Sequence, residues 1–350
     1  MKKYLFAFCL WIFLFGLFFK AEVYSDFINR SPDVLELKEQ EQRAINFLRS
    51  RYQRPLQYSP DLTEKEGSKI HLGKKLFFDP RLSNHNKISC SSCHNPQKGW
   101  GDDLPRGVGF SDETLLRRTP SLWNVGWGKR FFWDGRATAL EGQVVGPLFS
   151  KKEMNAVPFE TFMDRLKFKA PEYENLFEKA FRTKQAFTLR NLTLAIAEFE
   201  KTIVSDRTVF DEFIEGNDQA LTLQQKRGFL LFNSSRTQCS SCHSTWRFTE
   251  DAFHDTGILA DNRSPDFGRG GFYRDSKWNF HFKVSSLRDV SSRKFFMHDG
   301  SFSTLEAVID FYNRGGDVDR SKERNVASQI RPLGLSEEEK EFLKYFLQTL

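Results

Sequence analysis

The chain has 350 residues, of which 28% are charged and 15% are aromatic, and 37 of them are phenylalanine. This composition is ordinary for a soluble globular protein, and the length suggests two domains. A formal net charge of +6 makes the surface mildly basic, which favours an acidic partner. No lysine- or arginine-rich block accompanies that charge, so nucleic acid is not expected as a partner.

The N-terminus begins with Lys2 and Lys3 and continues as an unbroken apolar run from residue 4 to about residue 19. A charged start followed by a short apolar run is typical of a secretory signal, so residues 1–22 are predicted to be a signal peptide. No clear small-residue cleavage site follows, and an uncleaved N-terminal membrane anchor stays open as the alternative. Residues 23–60, with three prolines and many charges, are predicted to be a tether with some helix.

Two copies of one sequence, Cys-Ser-Ser-Cys-His, occupy residues 90–94 and 239–243 and contain four of the five cysteines. In C-x-x-C-H the two thiols attach to the vinyl groups of one porphyrin, and the histidine becomes the proximal ligand of the iron. A thioredoxin-like motif needs no such histidine, and a zinc ribbon needs C-x-x-C pairs closer together. The sequence therefore predicts two covalent c-type haems, attached at Cys90, Cys93, Cys239 and Cys242 and ligated by His94 and His243.

Covalent haem and an export signal together indicate a compartment. Haem attachment of this kind takes place outside the cytoplasm, where such cysteines meet haem after export. The simplest prediction is a bacterial periplasm, with attachment to the membrane left open.

An internal duplication organises the chain. Residues 119–124, 131–136 and 140–141 are echoed in the same order by residues 284–289, 295–300 and 305–306. Such an ordered repeat indicates a duplicated unit. It predicts an N-terminal haem domain at residues 61–217 and a C-terminal haem domain at residues 218–350.

Apolar residues at helical spacing predict a helix over residues 189–214, which the sequence Gly216-Asn217-Asp218 ends. Ser336 followed by three glutamates predicts the start of a C-terminal helix, because serine caps helices and acidic residues favour the first turn. Strand-like alternation is scarce. The predicted fold class is therefore mainly α, with long loops that wrap the haems.

From about residue 73 onward the chain resembles the bacterial di-haem cytochrome c peroxidases and their relative MauG. The resemblance rests on residues 76–83, on Trp133-Asp134-Gly135-Arg136, on Phe210-Asp211, and on His298-Asp299-Gly300 with Thr304-Leu305-Glu306. It implies two cytochrome c-like haem domains that face each other. The first haem is then expected to be the peroxide site and the second the electron-transfer site.

At the first haem, the resemblance assigns to Glu141 the role of the group that moves protons during peroxide cleavage. Family members that need reductive activation carry a distal histidine, and Phe110 stands at the corresponding place. Because phenylalanine cannot bind iron, the resting enzyme is expected to have an open position. Phe131 stands where the peroxidases usually have a glutamine, which removes one polar partner for peroxide.

At the second haem, the position of the sixth ligand in the usual peroxidase, a methionine, is Tyr312 here, and MauG also has a tyrosine there. A phenolate ligand stabilises oxidised iron, whereas a thioether raises the potential. Met297 is the rival ligand. Between the haems, the resemblance places Trp123 as the residue that shortens the electron transfer.

The resemblance also implies an inter-haem calcium ion, but this chain has Arg118 and Arg293 at corresponding places. A cation at Arg118 repels or replaces Ca²⁺, so calcium is doubtful as a cofactor.

Three functions are compatible with these features. The leading one is a periplasmic peroxidase that reduces hydrogen peroxide with electrons from a small redox protein, such as a cytochrome c or a cupredoxin. The second is a MauG-like enzyme that oxidises residues of a partner protein, and the third is a di-haem electron carrier or sensor without turnover. Tyr312 and Phe110 favour the second over an ordinary peroxidase, and Glu141 opposes the third. Homodimer formation is left open.

Overall fold

The structure is a computed structural model that describes residues 39–55, 68–156, 158–259, 265–317 and 324–350. The predicted signal peptide and most of the predicted tether lie outside the described residues. The described chain is mainly helical, which confirms the predicted fold class. None of the described helices has the length and apolar character that a membrane span requires.

The helices of the described chain are connected by long loops. The α-helices are α1 (Glu39–Tyr52), α2 (Lys69–Phe78), α3 (Cys90–Cys93), α4 (Leu140–Phe149), α5 (Phe162–Lys169), α6 (Glu172–Phe181), α7 (Leu189–Glu200), α8 (Val209–Ile214), α9 (Leu223–Phe232), α10 (Cys239–Cys242), α11 (Gly268–Tyr273), α12 (Leu305–Asn313) and α13 (Glu337–Leu347). Short 3₁₀ helices lie at Pro80–Leu82, Asn84–Asn86, Pro96–Lys98, Val125–Trp127, Asp218–Ala220, Ser276–Trp278 and Val290–Ser292. Two short strands, β1 (Phe253–His254) and β2 (Phe282–Lys283), pair antiparallel.

The duplication is visible in how the helices pack. In the first half α2 packs against α7, and in the second half α9 packs against α13. Both crossings need a glycine, because a Cβ at Gly73 would collide with the carbonyl of Ala195, and a Cβ at Gly228 would collide with that of Phe342. The matched contacts place α7 and α13 in register between the halves.

The C-terminal helix begins where the sequence predicts it. The Ser336 side chain accepts from the Glu339 amide, and the Glu339 carboxylate accepts from the Ser336 amide, which satisfies two donors at the helix start. Leu343 and Phe346 of α13 are buried in the second core.

The single helix predicted over residues 189–214 is wrong, because α7 ends at Glu200 and α8 begins at Val209. Thr208 and Asp211 form a capping box that starts a new helix. The segment between these two helices makes a long-range contact instead of a helical one, because the Ser205 amide donates to the side chain of Asn124. Local capping and this long-range contact override the helical periodicity.

Two segments cross the predicted domain boundaries. Ile45, Leu48 and Tyr52 of α1, which falls within the predicted tether, are buried in the core of the second half. Phe210 and Phe213 of α8 join the same core although they precede residue 218. The described part of the tether is thus a packed helix, and the division at residues 60 and 217 stays a prediction.

A buried ion pair fixes α8 to the second half. The Arg288 guanidinium is 0% exposed and donates to both oxygens of Asp211, at 3.0 and 2.7 Å. Arg54, just after α1, places a second guanidinium 3.0 Å from Asp211. These charges join α1, α8 and the loop that carries Arg288 into one unit.

Candidate haem pockets

A cavity of about 550 Å³ lies between the first C-x-x-C-H sequence, α4 and the end of α7. Its wall contains Cys90, Cys93 and His94. The second half closes one side of it with Arg247, Lys283 and Arg293. Pockets of this size are typical of bound cofactors.

His94 is held in an orientation that suits iron binding. Its Nδ1 lies 3.1 Å from the Trp100 carbonyl, so Nδ1 carries the proton and Nε2 remains available as a ligand. Burial lowers the pKa of His94, which keeps the ring neutral, as a ligand must be. The thiols of Cys90 and Cys93 are free, and α3 places them on one helical turn before this ring.

The second C-x-x-C-H sequence repeats the arrangement. The Nδ1 of His243 lies 2.9 Å from the Phe248 carbonyl, and burial lowers the pKa of the ring. The thiols of Cys239 and Cys242 are also free, in α10. Two free thiols beside a neutral histidine with an available nitrogen, present twice, fit two covalently attached haems.

Tyr312 lies close to the second haem-attachment site. Burial raises the pKa of its phenol, and the neighbouring Cys242 and Cys239 raise it further. Tyr312 follows Leu305 by seven residues, as Pro147 follows Leu140 in the duplicated helix α4. Because Pro147 lines the first cavity, the duplication predicts that Tyr312 lies at the matching wall of a second haem pocket.

Met297, the rival ligand, occupies the duplicated position of Phe132. Both residues have a left-handed backbone, with φ of 66° and 65°. Phe132 lines the first cavity, so the duplication permits Met297 to face the second pocket.

Trp123 lines the first cavity and contacts the second half directly. Its indole N–H donates to Oδ2 of Asp289 over 2.8 Å. On its other side the ring of Trp100 lies edge-on, with the ring centroids 6.3 Å apart. Trp123 therefore sits where an electron passing between the halves would cross.

Glu141 lies on the first turn of α4, next to the cavity but not among its described lining residues. Its Oε1 is 3.8 Å from Nζ of Lys201, and 30% of its side chain is exposed. Leu140, Gln143 and Val144 are the residues of that turn that line the cavity.

Phe131 and Phe110 differ in where they lie. Phe131 lines the cavity and is 7% exposed. Phe110 stacks on the ring of His85, with the centroids 6.0 Å apart, and the loop before it contributes Val108 and Gly109 to the wall.

Glu200, at the C-terminal end of α7, is a cavity residue that the sequence analysis missed. It is 5% exposed, and its Oε2 is buried without a hydrogen-bond partner among the described residues. Burial, with a smaller contribution from the charge of Glu141, raises the pKa of Glu200 to about 8. No motif surrounds Glu200 in the sequence. The one available signal is that the duplicated position in α13 is a leucine, Leu347.

Arg118 and Arg293 line the same cavity from opposite halves. The Nε of Arg118 donates to the Met297 carbonyl at 3.1 Å, and Arg293 donates to the Ser286 carbonyl at 2.9 Å. Burial lowers the pKa of Arg118 to about 10 and that of Arg293 to about 9, the latter with the help of the Arg118 charge. Arg118 and Arg293, at positions that correspond to the family's calcium site, thus both donate to main-chain carbonyls.

Comparison with known proteins agrees with this architecture. The family model described as di-haem cytochrome c peroxidase matches residues 67–219. The methylamine utilization protein MauG of Methylorubrum extorquens is 42% identical over 88% of this chain and 86% of the relative. The cytochrome c551 peroxidase of Pseudomonas aeruginosa is 33% identical over 71% of this chain and 74% of the relative.

A solved structure described as a MauG-like protein associated with microbial copper homeostasis superposes with a TM-score of 0.75. It is 28% identical and covers 85% of this chain and 93% of its own. The fold and the paired sites define a di-haem oxidoreductase with two covalently bound haem c groups. The chain belongs to the di-haem cytochrome c peroxidase family, in which MauG is also found.

Proposed function

We propose that this chain is a periplasmic peroxidase that reduces hydrogen peroxide to water at its first haem. The two electrons come from a small redox protein, enter at the second haem and pass Trp123. The observation that carries the proposal is the indole of Trp123, which lines the first haem pocket and is bonded to Asp289 of the second half. Glu141, next to this pocket, opposes the alternative of an electron carrier without turnover.

The side chains of the first pocket have distinct roles in this proposal. Bound haem supplies the iron at which peroxide reacts and electrons are exchanged. His94, oriented by the Trp100 carbonyl, would hold the iron through its other ring nitrogen, and Phe131 and Val144 keep the pocket apolar. Glu141 takes and returns a proton at the peroxide, and Lys201 beside it holds its carboxylate at the pocket edge.

At the second pocket, His243 and Tyr312 are the residues that would hold the iron of the second haem. The burial of Tyr312 close to Cys242 and Cys239 supports this assignment. Burial raises the pKa of the Tyr312 phenol, and bound ferric iron would act in the opposite direction by favouring the phenolate.

A second candidate function is favoured by Tyr312 and by Phe131. A phenolate ligand lowers the potential of the second haem, which makes it a poor acceptor for ordinary carriers and a stable store of oxidising equivalents. In this alternative the electrons come from side chains of a docked protein substrate, as in a MauG-like enzyme. The 42% identity to MauG supports it too.

One experiment separates the two functions. The oxidised di-haem protein is mixed with peroxide in the presence of reduced cytochrome c or a reduced cupredoxin, and peroxide consumption is followed at steady state. Sustained turnover with either carrier supports the peroxidase. Peroxide-induced spectral change without carrier turnover, which decays slowly, supports the oxidation of a protein substrate.

Trp123→Phe is the matched variant for this assay. It retains an aromatic ring in the pocket but removes the indole N–H that donates to Asp289. Carrier-dependent turnover that is unchanged in this variant, with both haems attached, would contradict the proposed electron route.

A further inference from the structure

We propose that Glu200 is a second proton-holding carboxyl group of the first haem pocket and works as a pair with Glu141. The inference rests on the proposed function and adds a residue to it. Glu200 lines the same cavity as His94 and Cys90 and is 5% exposed. A buried carboxyl group with an oxygen that lacks a partner in the described chain is costly to keep charged, so it keeps a proton instead.

The duplication gives an independent argument. Gly73 approaches Ala195 and Phe199 of α7, and Gly228 makes the same approach to Phe342 and Phe346 of α13. In this register the residue after Phe199 is Glu200, and the residue after Phe346 is Leu347. The electron-transfer half therefore carries a leucine where the peroxide half carries a buried carboxyl group. Packing alone is satisfied by leucine at this position.

The charges around Glu200 set its proton affinity. On the helices packed against α7, Glu141 of α4 raises the pKa of Glu200. The lysines of α2, Lys74 and Lys75, have exposed side chains. On its own chain segment, Nζ of Lys201 lies 2.7 Å from Glu198 and 3.8 Å from Glu141. Cys90 also faces Glu200, but this thiol becomes a thioether when haem is attached.

Two carboxyl groups with different environments divide the proton chemistry. Reduction of one peroxide to two waters consumes two electrons, which the redox protein supplies, and two protons. Glu141, at the cavity edge and beside Lys201, exchanges protons with solvent, whereas Glu200 stores one inside. When Glu200 releases its proton to an oxygen that becomes water, its O–H bond breaks, and a proton from solvent restores it through Glu141.

The sign of the pH dependence follows from the raised pKa. Below about pH 8 Glu200 is protonated and can deliver its proton. Above that pH it is charged and has none to give. The rate of the peroxide reaction should therefore fall as the pH rises through this range.

The test uses the full-length holoenzyme and its Glu200→Gln variant, with haem content checked by pyridine haemochrome. Infrared titration of the resting protein, without peroxide, should show a protonated-carboxyl band that disappears on deprotonation near pH 8. The band should be absent in Glu200→Gln and present in Glu141→Gln. The peroxide reaction should be slowed in Glu200→Gln by roughly tenfold or more at neutral pH, with the alkaline fall lost.

Glu200→Leu introduces the residue found at the duplicated position, Leu347, and should also lose the carboxyl band and the alkaline fall in rate. This variant replaces Glu200→Gln if the glutamine variant takes up haem poorly. A band that persists in both variants, or a pH profile equal to that of the native enzyme, overturns the inference. The infrared band and the peroxide reaction also distinguish a failure of this inference from a failure of the proposed function. A Glu200 band in a protein that does not react with peroxide contradicts the proposed function, and normal peroxide turnover without the band contradicts the role of Glu200.

Discussion

The indole N–H of Trp123 donates to the carboxylate of Asp289 over 2.8 Å, and this bond joins the two halves of the molecule. Asp289 has a left-handed backbone, with φ of 56°, as does Asn124 next to Trp123, with φ of 60°. Each of the two residues precedes a 3₁₀ turn, Val125–Trp127 or Val290–Ser292. The duplicated turns thus meet at Trp123, where we propose that electrons cross between the halves.

Asp289→Asn is expected to slow electron transfer between the haems without changing haem content. The carboxylate stabilises a positive charge on the indole, and a neutral amide does so less well. Rapid mixing of the reduced protein with peroxide measures the rate at which each haem is oxidised. Ser292→Ala, in the same turn, is the control. Equal rates in the native and Asp289→Asn proteins would rule out a part for this bond.

Glu141→Gln is expected to lower the rate of the peroxide reaction by roughly 10²-fold or more, because the amide cannot accept a proton. Glu306 occupies the duplicated position at the start of α12 and pairs with Lys344. Glu306→Gln is therefore a matched control and should leave the rate unchanged. Stopped-flow kinetics on both variants decides the matter, and a fully active Glu141→Gln enzyme would refute the assignment.

Tyr312→Met is expected to raise the potential of the second haem, since a thioether favours the reduced iron more than a phenolate does. Potentiometric titration measures the change. The native protein should lack the near-infrared band of methionine-ligated haem. If that band is present, survives in Tyr312→Phe and vanishes in Met297→Leu, then Met297 is the ligand.

Treatment with a calcium chelator is expected to leave the spectrum and the peroxide reaction unchanged. Arg118 and Arg293 already supply positive charge at this place and donate to main-chain carbonyls, including that of Met297. Calcium analysis of the purified protein and a titration with chelator test the expectation. A bound calcium ion, or loss of activity that added calcium restores, would contradict it.

Some features of the site can be read from the sequence because they are local. The two C-x-x-C-H sequences and the cap at Ser336 depend on neighbours in the chain, and the structure forms the cap that the sequence predicts. Glu200 was missed because a glutamate at a helix end usually faces solvent. Its burial depends on how α7 packs against α2 and α4, which no local pattern records.

The burial of α1 was also beyond the sequence. Its many charged residues indicate a solvated tether, yet Ile45, Leu48 and Tyr52 lie on one face and pack against the second half. The core that this face of α1 packs against is formed by residues of the second half, far away in the sequence. The Tyr52 hydroxyl donates to Asn233 at 2.7 Å, a contact that only the tertiary structure brings about.

We propose that peroxide reacts at the first pocket of the oxidised enzyme and that oxidising equivalents reach the second haem through Trp123. This proposal is tested most directly by adding one equivalent of peroxide to the fully oxidised protein and following the absorption and electron paramagnetic resonance signals of both haems. We expect a high-spin ferric signal at rest, because Phe110 cannot ligate iron, and a rapid change at both haems that is confined to the first haem in Trp123→Phe. A resting protein with only low-spin haem, or one that needs prior reduction before it reacts, would contradict the account.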